Sequence, residues 1–170
     1  YTLSLHDALP ISVNPVPNYA YRNKGELSFE NKADDWGLGT PGHSNGSAYG
    51  DLDNDGDLDL VVSNVNAGAN IFINQSELVF PENKYLKVKL LAEKGSAIGA
   101  KVYLSFGSNQ IYQELVPSRG FQSTVDDRLN FGVGNTNSVD IVKVVWPSGK
   151  VSSLKDVQPG QEIIVKESDA

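Results

Sequence analysis

The chain has 170 residues and a formal net charge of -7, enough length for one large or two small domains. The charge is uneven: residues 13–83 carry eleven acids against three bases, whereas 84–170 carry eleven bases against nine acids. No basic stripe or nucleic-acid motif appears, which argues against DNA or RNA as a partner, and no apolar run approaches bilayer-spanning length. The absence of cysteine removes disulfide and thiol chemistry, and the absence of methionine makes the chain read as a fragment of a longer reading frame.

Residues 1–12 lack the basic start and small-residue cleavage site of a secretory signal. They resemble the translation of a short-read sequencing adapter, so His6 and Asp7 are set aside and residues 1–12 are expected to form no domain. From Asn18 to Phe29 apolar and polar residues alternate around Lys24-Gly25, which predicts two strands joined by a hairpin. A similar short strand ending in asparagine returns at Ile71-Phe72-Ile73-Asn74. Half a repeat followed by a whole one predicts sheets stacked around an axis.

Between these phrases lies Asp51-Leu52-Asp53-Asn54-Asp55-Gly56-Asp57-Leu58-Asp59. Carboxylates at every second position, with glycine sixth, suit a loop that turns its oxygens toward a hard cation, and calcium accepts six to eight oxygens in a tolerant geometry. The predicted ligands are the side chains of Asp51, Asp53, Asp55 and Asp59 and the backbone carbonyl of Asp57, with Gly56 permitting the sharp turn. A helix-flanked calcium loop would need Glu at its twelfth position, where Val62 stands. Leu58 through Val62 instead reads as a buried strand, and Ser47 to Gly50 as the strand entering the loop. The alternative is an acidic surface turn without metal, in which five close carboxylates would repel one another.

The residues Phe29-Glu30-Asn31, Trp36-Gly37-Leu38, Gly46 to Gly50, the acidic loop, Leu60 to Asn64 and Ile71 to Asn74 together resemble one FG-GAP (VCBS-type) repeat. The resemblance implies a four-stranded blade of a β-propeller with calcium in the loop. One blade and the end of a preceding one are expected, forming a repeat region over residues 13–80.

After a linker at residues 81–84, Leu86, Val88 and Leu90 alternate with Lys87 and Lys89, predicting a strand with one wet face. Strand-like runs follow at 100–106, 110–116, 139–146 and 161–166, and no amphipathic helix interrupts them. The second half is therefore expected to be all-β, a small sandwich or barrel over residues 85–168. Within it Ser96 to Val102, Gly120-Phe121-Gln122-Ser123, Leu129 to Gly134 and Val144 to Gly149 resemble the signatures of the ASPIC/UnbV domain, with Val133 where leucine is commoner. These positions read as architecture. Gly99, Gly132 and Gly134 suit bulges or close approach, Pro147-Ser148-Gly149 suits a turn, and Trp146 shares a core face with Val142 and Val144.

No enzyme is predicted. Once His6 is set aside the remaining histidine is His43, and neighbouring Ser44 cannot make a triad without an orienting acid. Ser118-Arg119-Gly120 lacks the aspartate of an adhesion tripeptide, and Asn45-Gly46-Ser47 and Asn74-Gln75-Ser76 match only the short glycosylation triplet. The expected function is a calcium-binding, non-enzymatic extracellular binding or adhesion module, placed outside the cell, on its surface or in the periplasm, with an extracellular protein or polysaccharide as partner. The alternative is carbohydrate capture on Tyr103, Tyr112 or Phe121, as an accessory to a glycan system or to an enzyme lying upstream.

Overall fold

The computed structural model describes residues 14–119 and 123–170. Residues 1–12 and the Gly120-Phe121-Gln122 part of the second ASPIC-like motif therefore lie outside the described residues. The chain divides into two compact units, the first formed by Tyr1–Ser47 with Val61–Phe72 and the second by Ala48–Leu60 with Ile73–Ala170.

In the first unit, β1 (Tyr21–Gly25) pairs antiparallel with β2 (Ser28–Asn31). The hairpin turns two residues later than the Lys24-Gly25 pair suggested, at Glu26 and Leu27, which both take positive φ, at 49° and 58°. The strands β3 (Ser44–Gly50), β4 (Asp59–Asn64) and β5 (Asn70–Phe72) form a sheet in the order β3-β4-β5. Ala33 and Val62 are the buried apolar side chains of the first unit among the described residues, while Tyr21, Phe29, Trp36 and Ile71 are exposed. So thin a core leaves most of its apolar surface in water.

The second unit holds one helical turn, α1 (Ser76–Val79), then β6 (Lys84–Leu91), β7 (Lys101–Phe106), β8 (Asn109–Glu114), β9 (Leu129–Gly134), β10 (Val139–Val145), β11 (Val151–Val157) and β12 (Gln161–Lys166), ending in a 3-10 turn at Glu167–Asp169. One sheet runs β11-β10-β7-β8 and another β12-β6-β9. The β12–β6 pair is parallel, and the other pairs of these two sheets are antiparallel. Alternation explains the packing: Leu86 and Val88 of β6, Val102 and Leu104 of β7, Phe131 of β9, and Val142 and Val144 of β10 all enter one cluster. Trp146 is buried with them, as its spacing predicts, and its indole N–H donates to Ser152 Oγ at 2.8 Å. Pro147-Ser148-Gly149 forms the expected turn, with the Gly149 amide donating to the Trp146 carbonyl at 2.9 Å and φ of 88° at the glycine.

Two expectations need correction. The propeller blade followed by a sandwich or barrel is not what the strands build: the architecture is all-β with several largely antiparallel sheets, and among the described residues no sheet curls into a blade or closes into a barrel. The sheet carrying the acidic loop has three strands, because the β1–β2 hairpin satisfies its own hydrogen bonds as a separate two-stranded sheet. Among the described residues the outer strands β8 and β11, and β9 and β12, end their sheets without a further partner. The wet face of β6 is also wrong: Lys87 is buried and Lys89 half-buried.

Candidate metal centre on the acidic loop

The loop between β3 and β4 is shaped by its own carboxylates. The Asp55 amide donates to Asp53 Oδ1 at 3.3 Å and the Asp57 amide to Asp55 Oδ1 at 3.0 Å, the local turns that aspartate favours. Asp51 Oδ2 accepts the Gly56 amide at 3.0 Å across the loop. Asp59 closes it: Oδ2 accepts the Leu52 amide and Oδ1 the Asn74 amide, both at 2.8 Å. Asp51 and Asp59 are buried, at 7% and 1% exposure, which is costly for carboxylates unless donors or cations compensate them.

These bonds sort the acids into two groups. Oxygens of Asp51, Asp53 and Asp59 lie within 4.8 Å of one another, and oxygens of Asp55, Asp57 and Glu77 form a second such group. Asp57 is drawn away from the first by α1, where the Ser76 amide and hydroxyl donate to its Oδ2 at 3.0 and 2.7 Å. Partial desolvation, with the charges of Asp55 and Asp57, holds the Glu77 carboxyl above its usual range. A cavity of about 460 Å³ opens beside this second group, lined in part by Ser76, Tyr85 and Asn130. Each group contains one buried oxygen without a hydrogen-bond donor, Asp51 Oδ1 in the first and Asp57 Oδ1 in the second. A buried, unpartnered carboxylate oxygen among other carboxylates fits a hard divalent cation, which needs oxygen ligands and supplies the missing positive charge.

The loop is also held from the second unit's own sheet. Gly56 is buried with φ of 107°, and a Cβ there would stand 1.9 Å from the Tyr85 ring. Asn130 of β9 donates its side-chain N–H to the Gly56 carbonyl at 2.9 Å. The Lys87 ammonium pairs with Asp51 Oδ2 and stands 5.5 Å from the Tyr85 ring centroid. Burial lowers the pKa of Lys87 from the ordinary lysine value, Arg128 acts in the same direction, and Glu162 and Asp126 oppose it. None of Glu77, Tyr85, Lys87 and Asn130 was singled out as a site residue from the sequence.

The remaining candidates show no catalytic arrangement. The His43 carbonyl accepts the Val65 amide at 2.9 Å, and the Ser44 hydroxyl donates to Asn64 Oδ1 at 3.2 Å. Arg119 bonds the Tyr49 hydroxyl at 2.9 Å and stands over its ring. Tyr103 and Tyr112, cross-strand partners in β7 and β8, have ring centroids 5.0 Å apart. Phe121 lies outside the described residues.

Residues 11–62 match the FG-GAP-like repeat, and residues 91–170 match the family described as ASPIC and UnbV. The chain carries an FG-GAP-like repeat and an ASPIC/UnbV domain. The FG-GAP-like match takes in the whole acidic loop, and the ASPIC/UnbV match begins within β6. FG-GAP-like and ASPIC/UnbV domains are non-catalytic modules. No curated protein matches the chain. Among the described residues no helix is long and apolar enough to cross a membrane.

Proposed function

We propose that the chain is a calcium-stabilised binding or adhesion module that works outside the cytosol, with its ion held by the loop at residues 51–59. The observation that carries this reading is Asp51 Oδ1, a carboxylate oxygen buried without a donor beside Asp53 and Asp59. Asp51, Asp53 and Asp59 would hold the ion, and Asp55 and the Asp57 backbone remain the loop's further candidates. Bound calcium would supply charge neutralisation, letting the loop keep its turn and β4 its packing through Val62. Sites in extracellular modules bind calcium at about 10⁻⁴–10⁻³ M, a range filled outside cells and mostly empty in cytosol. The partner in this reading is an extracellular protein or polysaccharide.

The test is thermal unfolding of the chain in chelator and in millimolar calcium, beside Asp53→Ala. Calcium should raise the midpoint of the parent and leave the variant unmoved, since a ligand that binds only the folded state stabilises it. A parent that ignores calcium while folded would sink the reading.

A second reading, polysaccharide capture, is favoured by the Tyr103–Tyr112 pair. Tyr112 is 48% exposed and also borders a cleft of about 500 Å³ with Tyr49, Glu114, Arg119 and Arg128. Aromatic faces beside hydrogen-bonding side chains suit sugar rings. Glycan-array binding that disappears in Tyr112→Ala would support it, and an array without signal would end it.

A further inference from the structure

Lys87 lies between Leu86 and Val88, whose side chains are fully buried, so strand alternation points it away from that core. Its side chain is nevertheless only 6% exposed, because its ammonium is turned onto Asp51 Oδ2, in a side chain 1% exposed. That oxygen also accepts the Gly56 amide, while Oδ1 of the same carboxylate has no donor. The two oxygens of Asp51 thus have different tasks: Oδ2 is fixed by protein donors, and Oδ1 is left for an ion.

We propose that Lys87 is the built-in counter-ion of the acidic loop, keeping Asp51 compensated without calcium and, by the same charge, weakening the loop's grip on calcium. The inference rests on the calcium reading above and deepens it. Asp51, Asp53 and Asp59 bring three negative charges together. A fixed ammonium on one of them offsets part of that charge and repels a second cation at close range, where a buried setting screens poorly. A buried carboxylate that loses its partner is left uncompensated, so the same lysine supports the loop when calcium is scarce. Lys87 belongs to β6, so the setting of calcium affinity is assigned to the sheet and not to the loop.

The experiment uses the full chain as parent, Lys87→Met, and Lys87→Met combined with Asp51→Asn. Calcium affinity is read by titration calorimetry and thermal unfolding is followed in chelator. Lys87→Met is expected to bind calcium about tenfold more tightly and to unfold roughly 5 °C lower in chelator. The double variant, with no buried charge left behind, is expected to regain most of the lost midpoint. A lysine that merely packed would lower stability and affinity together, so the opposite signs distinguish the two roles. Should Lys87→Met fail to fold in chelator, recovery of folding in the double variant supports the counter-ion role, and continued failure overturns it. Calcium affinity equal to or weaker than the parent's in Lys87→Met overturns this inference alone. Absence of calcium binding in every variant overturns both it and the calcium reading.

Discussion

Asn130 in β9 donates its side-chain amide to the Gly56 carbonyl at 2.9 Å, joining residues 74 positions apart at the sharpest point of the acidic loop. The bond satisfies a carbonyl of a buried residue, and its donor is held by a strand whose neighbours Leu129 and Phe131 sit in the main core. Loop shape is therefore set from a strand of the ASPIC/UnbV domain.

Asn130→Ala removes that donor. The expected cost is about 1 kcal/mol, seen as a midpoint lower by roughly 2–4 °C in thermal unfolding. The calcium-induced rise should shrink as well, because the loop is less well held. An unchanged midpoint would mean that water replaces the amide without loss.

Gly56→Ala meets two obstacles: a φ of 107° that L residues resist, and the Tyr85 ring at 1.9 Å from the new Cβ. A loss of about 2–3 kcal/mol is expected by denaturant unfolding. Tyr85→Ala in the same background should relieve the collision and leave the backbone strain, so recovery should be partial. Full recovery would show that the backbone conformation costs nothing.

Glu167 contributes to the acid response of the second unit. Its Oε1 accepts the Ser148 hydroxyl and its Oε2 the Glu93 amide at 2.8 Å, and these bonds, with the nearby Lys150, lower its pKa from the ordinary 4.5. A depressed carboxyl pKa contributes stability that is fully present above the unfolded value and is lost as pH falls through the folded one. Midpoints measured from about pH 6 down to about pH 3 should fall below about pH 4.5, and less steeply in Glu167→Gln. Identical slopes in the two proteins would assign the acid response to other carboxylates.

The sequence made some of this visible and hid the rest for identifiable reasons. Alternating aspartates forecast a carboxylate loop, and Val142, Val144 and Trp146 forecast a shared core face, because both are local patterns. Which strands pair is not local. The phrase around Tyr21 and the one around Ile71 resemble each other, yet β1 pairs with β2 and β5 lies beside β4. Lys87 looked like the wet side of an alternating strand, since nothing near it in sequence reveals that Asp51 waits across it. Asp57 is expected to serve the loop through its backbone carbonyl, and the donors that hold its carboxylate come from Ser76, nineteen positions later, where no local pattern reveals them.

The parallel pairing of β12 with β6 sets an order of events for a chain emerging from the ribosome. Leu86 must find Gln161, and Leu91 must find Lys166, after every intervening strand has been made. Until then β6 offers one bare edge, and parallel ladders between distant segments form slowly. The domain around β6 therefore stays unfinished until β12 has been made, and until then depends on protection from aggregation.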